Sequence, residues 1–316
     1  MPDSTPTVPA LLRALHERSR ALGIGPPAAF LGDWRDSPAV IIPSVDLRPN
    51  RPEQVFSVAG DLVVVGFRSF PDHVPGDAPL LPAAVRGTAT GMLTLAPDGR
   101  WRGDGTAPDP HEVIRRYGPP SSGGTGDDED DGDDDDEVGI PLTWAAPDRR
   151  AHRRAVVDCL EAIRAGEVYQ TCLSTRLDGR LRADPLETFL SLARRAPAAR
   201  SAYLEGEWGA VLAFSPEEFL VRTGDDVRTS PIKGTVRADR DPAELLASAK
   251  DVAENIMIVD LARNDLGRVA DVGSVRVSDL LAVRPAPGVH HLVSTVTART
   301  SVDHDALVAA TFPPAS

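Results

Sequence analysis

The residue of this chain best suited to do chemistry is the lysine in the run Ser230-Pro231-Ile232-Lys233-Gly234-Thr235. A lysine in water at neutral pH is a poor nucleophile and becomes a good one only where burial or neighbouring cations lower its pKa. Lys233 follows a β-like run, and Gly234-Thr235 after it allows the backbone to approach a ligand closely. Taken alone, such a lysine is more often a surface residue, so its context has to raise the functional reading. Two features do so. Asp251 and Glu254 stand three residues apart in a helical pattern and share a face, with Asn255 beside them; two carboxylates so placed offer oxygen ligands to Mg²⁺. The competing reading, a solvated acidic face pairing with Lys250 or Arg263, is favoured by spacing alone. In Pro287-Gly288-Val289-His290-His291-Leu292-Val293-Ser294 a histidine enters an apolar strand, where a satisfied core histidine is commoner than a catalyst.

The elements that must position these groups can be read from periodicity. Residues 8–22 carry Leu11, Leu12, Leu15 and Leu22 near helical spacing and predict an N-terminal helix. Short β-branched segments at 39–42, 54–58, 62–67 and 91–95, separated by Pro, Gly and Asp, predict strands. Residues 148–165 predict a helix with Val156, Leu160 and Ile163 on one face, ended by Gly166. Strands are expected at 168–177, 202–204, 208–214, 218–222 and 227–230. A second helix is expected from Asp241 as N-cap, with Pro242 at its first position, to about Asn264; strands at 273–277 and 292–297 follow. Strands in runs, not in strict alternation with helices, imply an α+β fold with mainly antiparallel sheets and flanking helices.

Composition bounds the rest. A chain of 316 residues with 41% hydrophobic content can bury a sizeable core. Of its 13 excess negative charges, ten come from residues 127–131 and 133–137. The stretch 119–140 therefore predicts a disordered acidic linker between a strand-rich region at 1–118 and a second region at 141–316. A calcium loop would instead need alternating oxygen ligands and a closing Glu. No basic stripe interleaved with aromatics is present, which argues against nucleic-acid binding. Cys159 and Cys172 lack the spacing of a disulfide framework or a zinc site and read as packing residues. With neither a long apolar run nor a signal peptide, the expected setting is the cytoplasm, away from the membrane.

In chain order, Tyr169-Gln170, Ser215-Pro216-Glu217, Pro231-Ile232-Lys233-Gly234-Thr235, the segment from Ala253-Glu254-Asn255 to Asn264-Asp265-Leu266-Gly267, and His291-Leu292-Val293-Ser294 resemble the chorismate-utilising enzyme family. The likeness is strong from about residue 151 onward and weak over 1–118, where Phe30-Leu31-Gly32-Asp33-Trp34 carries it. That family includes anthranilate synthase large subunits, aminodeoxychorismate synthase component I, and isochorismate and salicylate synthases. Lysine within Pro-Ile-Lys-Gly-Thr resembles the aminodeoxychorismate branch, since anthranilate and isochorismate synthases usually carry alanine there.

What the resemblance implies is specific. Lys233 would attack C2 of chorismate and expel the C4 hydroxyl, after which ammonia adds at C4 and displaces the lysine. Glu217 matches the general acid for the departing hydroxyl. Glu254, and with it Asp251, match carboxylates associated with Mg²⁺. His291 and Thr235 match residues lining the substrate pocket. Gln170 stands where the water-adding members have a lysine base, and a neutral amide cannot activate water. Asp260, Arg263, Asn264 and Asp265 read as a helix end tied by polar contacts. Ammonia would come from a separate glutaminase subunit. Because the family continues beyond Phe312-Pro313-Pro314-Ala315-Ser316, the resemblance also implies a C-terminally truncated chain. Two other readings stand beside this one: an anthranilate synthase component I, and a non-catalytic remnant that binds chorismate or a partner.

Overall fold

The computed structural model describes residues 5–58, 60, 62–70, 80–119 and 142–314. In chain order it contains α1 (Val8–Leu22), β1 (Ala28–Trp34), β2 (Ser37–Ile42), β3 (Arg48–Pro49), a 3-10 turn (Pro52–Gln54), β4 (Val63–Arg68), β5 (Ala84–Ala89), β6 (Gly91–Leu95), β7 (Trp101–Gly105) and α2 (Pro110–Tyr117). Then come β8 (Leu142–Trp144), α3 (Arg149–Ala165), β9 (Gly179–Leu181), α4 (Pro185–Arg195), β10 (Arg200–Gly206), β11 (Gly209–Ser215), β12 (Glu218–Thr223), β13 (Asp226–Ser230) and β14 (Ile232–Arg237). The last elements are α5 (Ala243–Ala247), α6 (Ala249–Gly267), β15 (Arg276–Ala286), β16 (Val289–Arg299) and α7 (His304–Thr311). The fold is α+β, and every strand pair among the described residues is antiparallel. No helix among the described residues is long and apolar enough to cross a membrane. Most of the acidic stretch expected to be a linker, residues 120–140, lies outside the described residues.

Two compact units are present: residues 1–121 together with 189–315, and residues 122–188. In the first, a six-stranded sheet runs β11-β10-β1-β2-β6-β7, so chain from both sides of the acidic stretch shares one ladder, with Ala29 opposite Tyr203. Its face packs on the three-stranded sheet β3-β5-β4 through Ala28, Val40, Ile42, Val65, Val85 and Leu204. The other sheet of this unit runs β12-β13-β16-β14, with β15 along the second edge of β16. Helix α6 packs on it, burying Val259 and Leu266 against Val227, Val296 and Ala298. Each such fully buried aliphatic side chain contributes about 1.5–3 kcal/mol. The second unit holds the pair β8-β9 and α3; α4 crosses the boundary between the units.

Local chemistry explains most of the helix starts. Aspartates at 109, 148, 184 and 303 accept hydrogen bonds from backbone N–H groups two or three residues on, satisfying donors that a helix leaves open. Asp109 and Asp184 are each followed by a proline at the first helical position, a signal that sequence reading passed over at α2 and α4. Helix α3 ends at Gly166 in the left-handed conformation, as expected.

Several expectations fail, each for a physical reason. Residues 54–58 form no strand: Pro52 opens a 3-10 turn and Val55 is buried within the following turn, so an apolar β-branched residue here reports burial and not pairing. Residues 168–177 are irregular, since no described strand offers them a ladder. The helix expected from Asp241 to Asn264 is two helices. Ser248 is extended, with φ −78° and ψ 102°, and its hydroxyl caps Asp251, so α6 starts afresh and runs on to Gly267. Cys172 is exposed and does not pack in a core.

Candidate active site

Strands β13 and β14 are one run of chain along the same edge of β16, interrupted at Pro231. Pro231 has no N–H to give the ladder, but its carbonyl accepts from Ser294 N at 3.2 Å. Beyond it the register slips by one residue: Ile232 faces Val293 and Thr235 faces His291, leaving Lys233 and Gly234 together opposite Leu292. That is a β-bulge, a device that re-aims a side chain out of the regular alternation. Gly234 sits at φ +99°, a conformation that side chains other than hydrogen resist, and a Cβ there would meet Asp251 Cβ at 3.0 Å and Leu292 Cβ at 3.2 Å. The glycine after the lysine therefore lets α6 come up against the bulge. Lys233 itself is half-buried.

Three of the expected residues lie beside this bulge. Glu217, in the turn between β11 and β12, accepts from Ile232 N through Oε1 at 2.8 Å, which fixes a carboxylate next to the backbone that bears Lys233. His291 Nδ1 lies 2.9 Å from Thr235 Oγ1 across the strand pair. Burial holds the His291 pKa below the ordinary imidazole value, and the nearby charge of Glu217 opposes that only in part, so the ring is neutral at pH 7.

Asp251 and Glu254 lie on one side of α6, as their spacing implied. The side chain of Asp251 is the nearest neighbour of Gly234. Glu254 Oε1 pairs with Lys250 Nζ at 3.0 Å, the bland contact foreseen from spacing, and Lys250 is three-quarters exposed. Such a surface pair is worth little and a divalent cation can displace it. Among the described residues no group of three or more His, Cys, Asp or Glu side chains converges to hold a metal. Two carboxylates are nonetheless the usual protein share for Mg²⁺, whose remaining positions go to substrate oxygens and water. Asp260 pairs with Arg263 at 2.9 Å and Asp265 with Arg268 at 3.3 Å, as expected for structural residues; the first pair lies within the last turns of α6 and the second ties its end to the residue that follows it.

Gln170 belongs to the second unit, where its side-chain oxygen Oε1 is buried with no hydrogen-bond partner among the described residues. In that unit α3 has no buried residue, and Val156, Val157, Leu160 and Ile163 are all at least 36% exposed.

Sequence reading missed Glu218. This carboxylate is 8% exposed and bridges Arg200 of β10 at 2.7 Å and Arg228 of β13 at 2.8 Å, with Ser230 Oγ donating at 3.2 Å. Burial would raise its pKa, but the hydrogen bonds and charges of Arg228, the charge of Arg200 and the Ser230 hydroxyl outweigh that and hold it below the carboxylate range. Arg200 also reaches Asp33 at 3.0 Å. The network joins the six-stranded sheet to the sheet that bears Lys233 and steadies the turn holding Glu217. Its only sequence signal was an acid inside a strand pattern.

A sequence profile described as chorismate binding enzyme matches residues 121–316. Aminodeoxychorismate synthase component 1 of Klebsiella aerogenes is 46% identical over 160 residues, covering 48% of this chain and 36% of that protein. Aminodeoxychorismate synthase of Streptomyces pristinaespiralis is 43% identical over 173 residues, covering 51% and 24%. Anthranilate synthase component 1 of Methanothermobacter thermautotrophicus is 39% identical over 175 residues, covering 52% and 38%. The matched stretch thus spans 24–38% of the length of these curated relatives. The fold is similar to that of anthranilate synthase component I from Streptococcus pneumoniae, with a TM-score of 0.65 at 19% identity over 91% of this chain and 70% of that one. It is also similar to MenF, the menaquinone-specific isochorismate synthase from Escherichia coli, with a TM-score of 0.62 at 13% identity over 99% and 72%. With the profile matched over more than half of its length, the chain belongs to the chorismate binding enzyme family.

Proposed function

We propose that this chain is component I of an aminodeoxychorismate synthase, which converts chorismate and ammonia to 4-amino-4-deoxychorismate. The observation that carries the reading is Lys233 in a bulge beside the Glu217 carboxylate, with Asp251 packed under the next residue. Relatives named aminodeoxychorismate synthase, 43–46% identical over the matched stretch, support it.

In this reading the Lys233 amine attacks C2 of the substrate and sheds a proton; both conjugated ring double bonds shift, the C4 C–O bond breaks, and Glu217 delivers a proton so that the hydroxyl departs as water. Ammonia then adds at C4, both double bonds shift back, and the C2–N bond to Lys233 breaks, the departing nitrogen taking up the proton that ammonia loses, which regenerates the amine. Two moderate barriers replace one high one. The neutral His291 ring, bonded to Thr235, would line the pocket as an uncharged group. Asp251 and Glu254 would hold Mg²⁺, which when bound neutralises a substrate carboxylate. Gln170, a neutral amide, is no base for activating water. Ammonia would be supplied by a glutamine amidotransferase subunit, and the setting would be the cytoplasm.

The test uses chorismate, an ammonium salt and Mg²⁺ with the chain, followed by product analysis and intact mass. Formation of 4-amino-4-deoxychorismate, and of a covalent adduct that disappears in Lys233→Ala, is the expected result; an adduct that persists in the variant removes Lys233 as nucleophile. Anthranilate synthase component I is the second reading, favoured by the 39% identity to a relative of that name. It predicts anthranilate and pyruvate.

A further inference from the structure

The buried side of α6 carries one polar side chain, Asn255, 1% exposed among Ile258, Val259 and Leu266. An amide in such a place is costly unless its hydrogen-bonding capacity is filled. Here it is filled in a way that ties three elements together. The two N–H groups of Nδ2 donate to Leu292 O at 3.0 Å and to Lys233 O at 3.4 Å. Oδ1 accepts from Ser294 Oγ at 2.5 Å, and Ser294 Oγ accepts in turn from Leu281 N at 2.9 Å. The carbonyls it bridges belong to the two strands where the bulge interrupts their ladder, since Lys233 and Gly234 share the single partner Leu292. Turning the amide over would set its oxygen against both carbonyls, so the carbonyls select one orientation and the Ser294 hydroxyl, donating to Oδ1, holds it there.

Asn255 lies next to Glu254 and one turn after Asp251 on the same helix. We infer that Asn255, oriented by Ser294, is a positioning residue: its amide holds the Lys233–Gly234 bulge at a set distance from the carboxylate-bearing turn of α6, so that amine and carboxylates address one substrate. The inference rests on the reading of Lys233 as nucleophile only for its catalytic consequence; the bridge between bulge and helix stands on geometry.

The test compares the full chain with Asn255→Asp, which keeps the size but sets a carboxylate against the two carbonyls, and with Ser294→Ala, which removes the orienting hydroxyl. Three quantities are read: the chorismate dissociation constant, the rate of adduct formation at Lys233 by intact mass, and amide hydrogen exchange. The expected result is an adduct rate at least about 100-fold slower in Asn255→Asp and about 10-fold slower in Ser294→Ala, with chorismate affinity within about threefold. Exchange at residues 233–235 should rise at least about tenfold while that at 296–298 stays unchanged. Rates per folded molecule equal to the parent protein's, or losses of affinity and rate that track the unfolded fraction, overturn the inference. Should the parent form no adduct, the nucleophile reading fails, and exchange at 233–235 alone decides: a local rise supports the bridge, and unchanged exchange overturns it.

Discussion

Replacing Gly234 by alanine tests whether the close approach of α6 to the lysine bulge is real. A Cβ at φ +99° is strained by about 1–2 kcal/mol, and contacts at 3.0 Å to Asp251 Cβ and 3.2 Å to Leu292 Cβ add about 1–3 kcal/mol of overpacking. Loss of chain freedom in the unfolded state returns about 0.4–1 kcal/mol, which leaves a net destabilisation of about 2–4 kcal/mol. Gly224, in the turn between β12 and β13, is the control: its φ is +62°, but nothing lies within 4 Å of an added Cβ. Gly224→Ala should therefore cost only about 0.5–1.5 kcal/mol. Urea unfolding of the two variants at equal m-value gives the comparison, and a gap of about 2 kcal/mol, a factor of about 30 in the folded-to-unfolded ratio, is expected. Asp251→Gly, which removes the nearest carbon, should recover part of the Gly234→Ala cost as a coupling of about 1 kcal/mol. If Gly234→Ala is as mild as Gly224→Ala, Asp251 does not press on the bulge, and the close approach of α6 that Gly234 is said to allow falls.

Other outcomes follow from charge and burial. Glu218→Gln should destabilise the fold by about 2–3 kcal/mol at pH 7, less than the full cost of breaking a buried pair because Arg228 is 49% exposed. The depressed Glu218 pKa means its contribution is present above the ordinary carboxylate value and is lost as pH falls through the lower folded value. The variant should thus lose less stability between about pH 5 and 3 than the parent; equal losses would show that Glu218 is not held ionised. His291 has the same sign in a higher pH window: with its folded pKa lowered by burial, the unfolded chain binds the proton more readily, so stability rises with pH through about 6.5. Urea midpoints from pH 5 to 7.5 should flatten in His291→Gln, and an unaltered slope would mean that the ring is not buried as described.

Much of the fold was legible because its signals are local. Aspartate caps, a helix-ending glycine and the 3.6-residue stripe of α1 act over a few residues, so composition and spacing sufficed for α1 and α3 and for strands such as β2, β4 and β6. Where reading failed, the deciding interaction was distant or absent. Residues 168–177 have strand-like composition but no described partner, and 54–58 bury Val55 without pairing. The break at Ser248 went unseen because its hydroxyl cap competes with a helical pattern that continues smoothly on either side.

The same division holds at the candidate site. Residue types pointed to Lys233, Asp251 and Glu254, since nucleophiles and hard oxygen ligands are properties of side chains and not of folds, and the resemblance to the chorismate-utilising family added Glu217, Thr235, His291 and Gln170. Tertiary structure decided what surrounds them. The register slip opposite Leu292 makes a bulge of Lys233 and Gly234, a feature defined by a strand nearly sixty residues away in sequence. Asn255 meets the carbonyls of Lys233 and Leu292 only where α6 crosses the bulge, and Glu218 is held charged because Arg228 and Arg200 reach it from two different sheets. Hydrogen bonds and burial depend on which atoms meet, and for residues far apart in the chain only the folded backbone determines that.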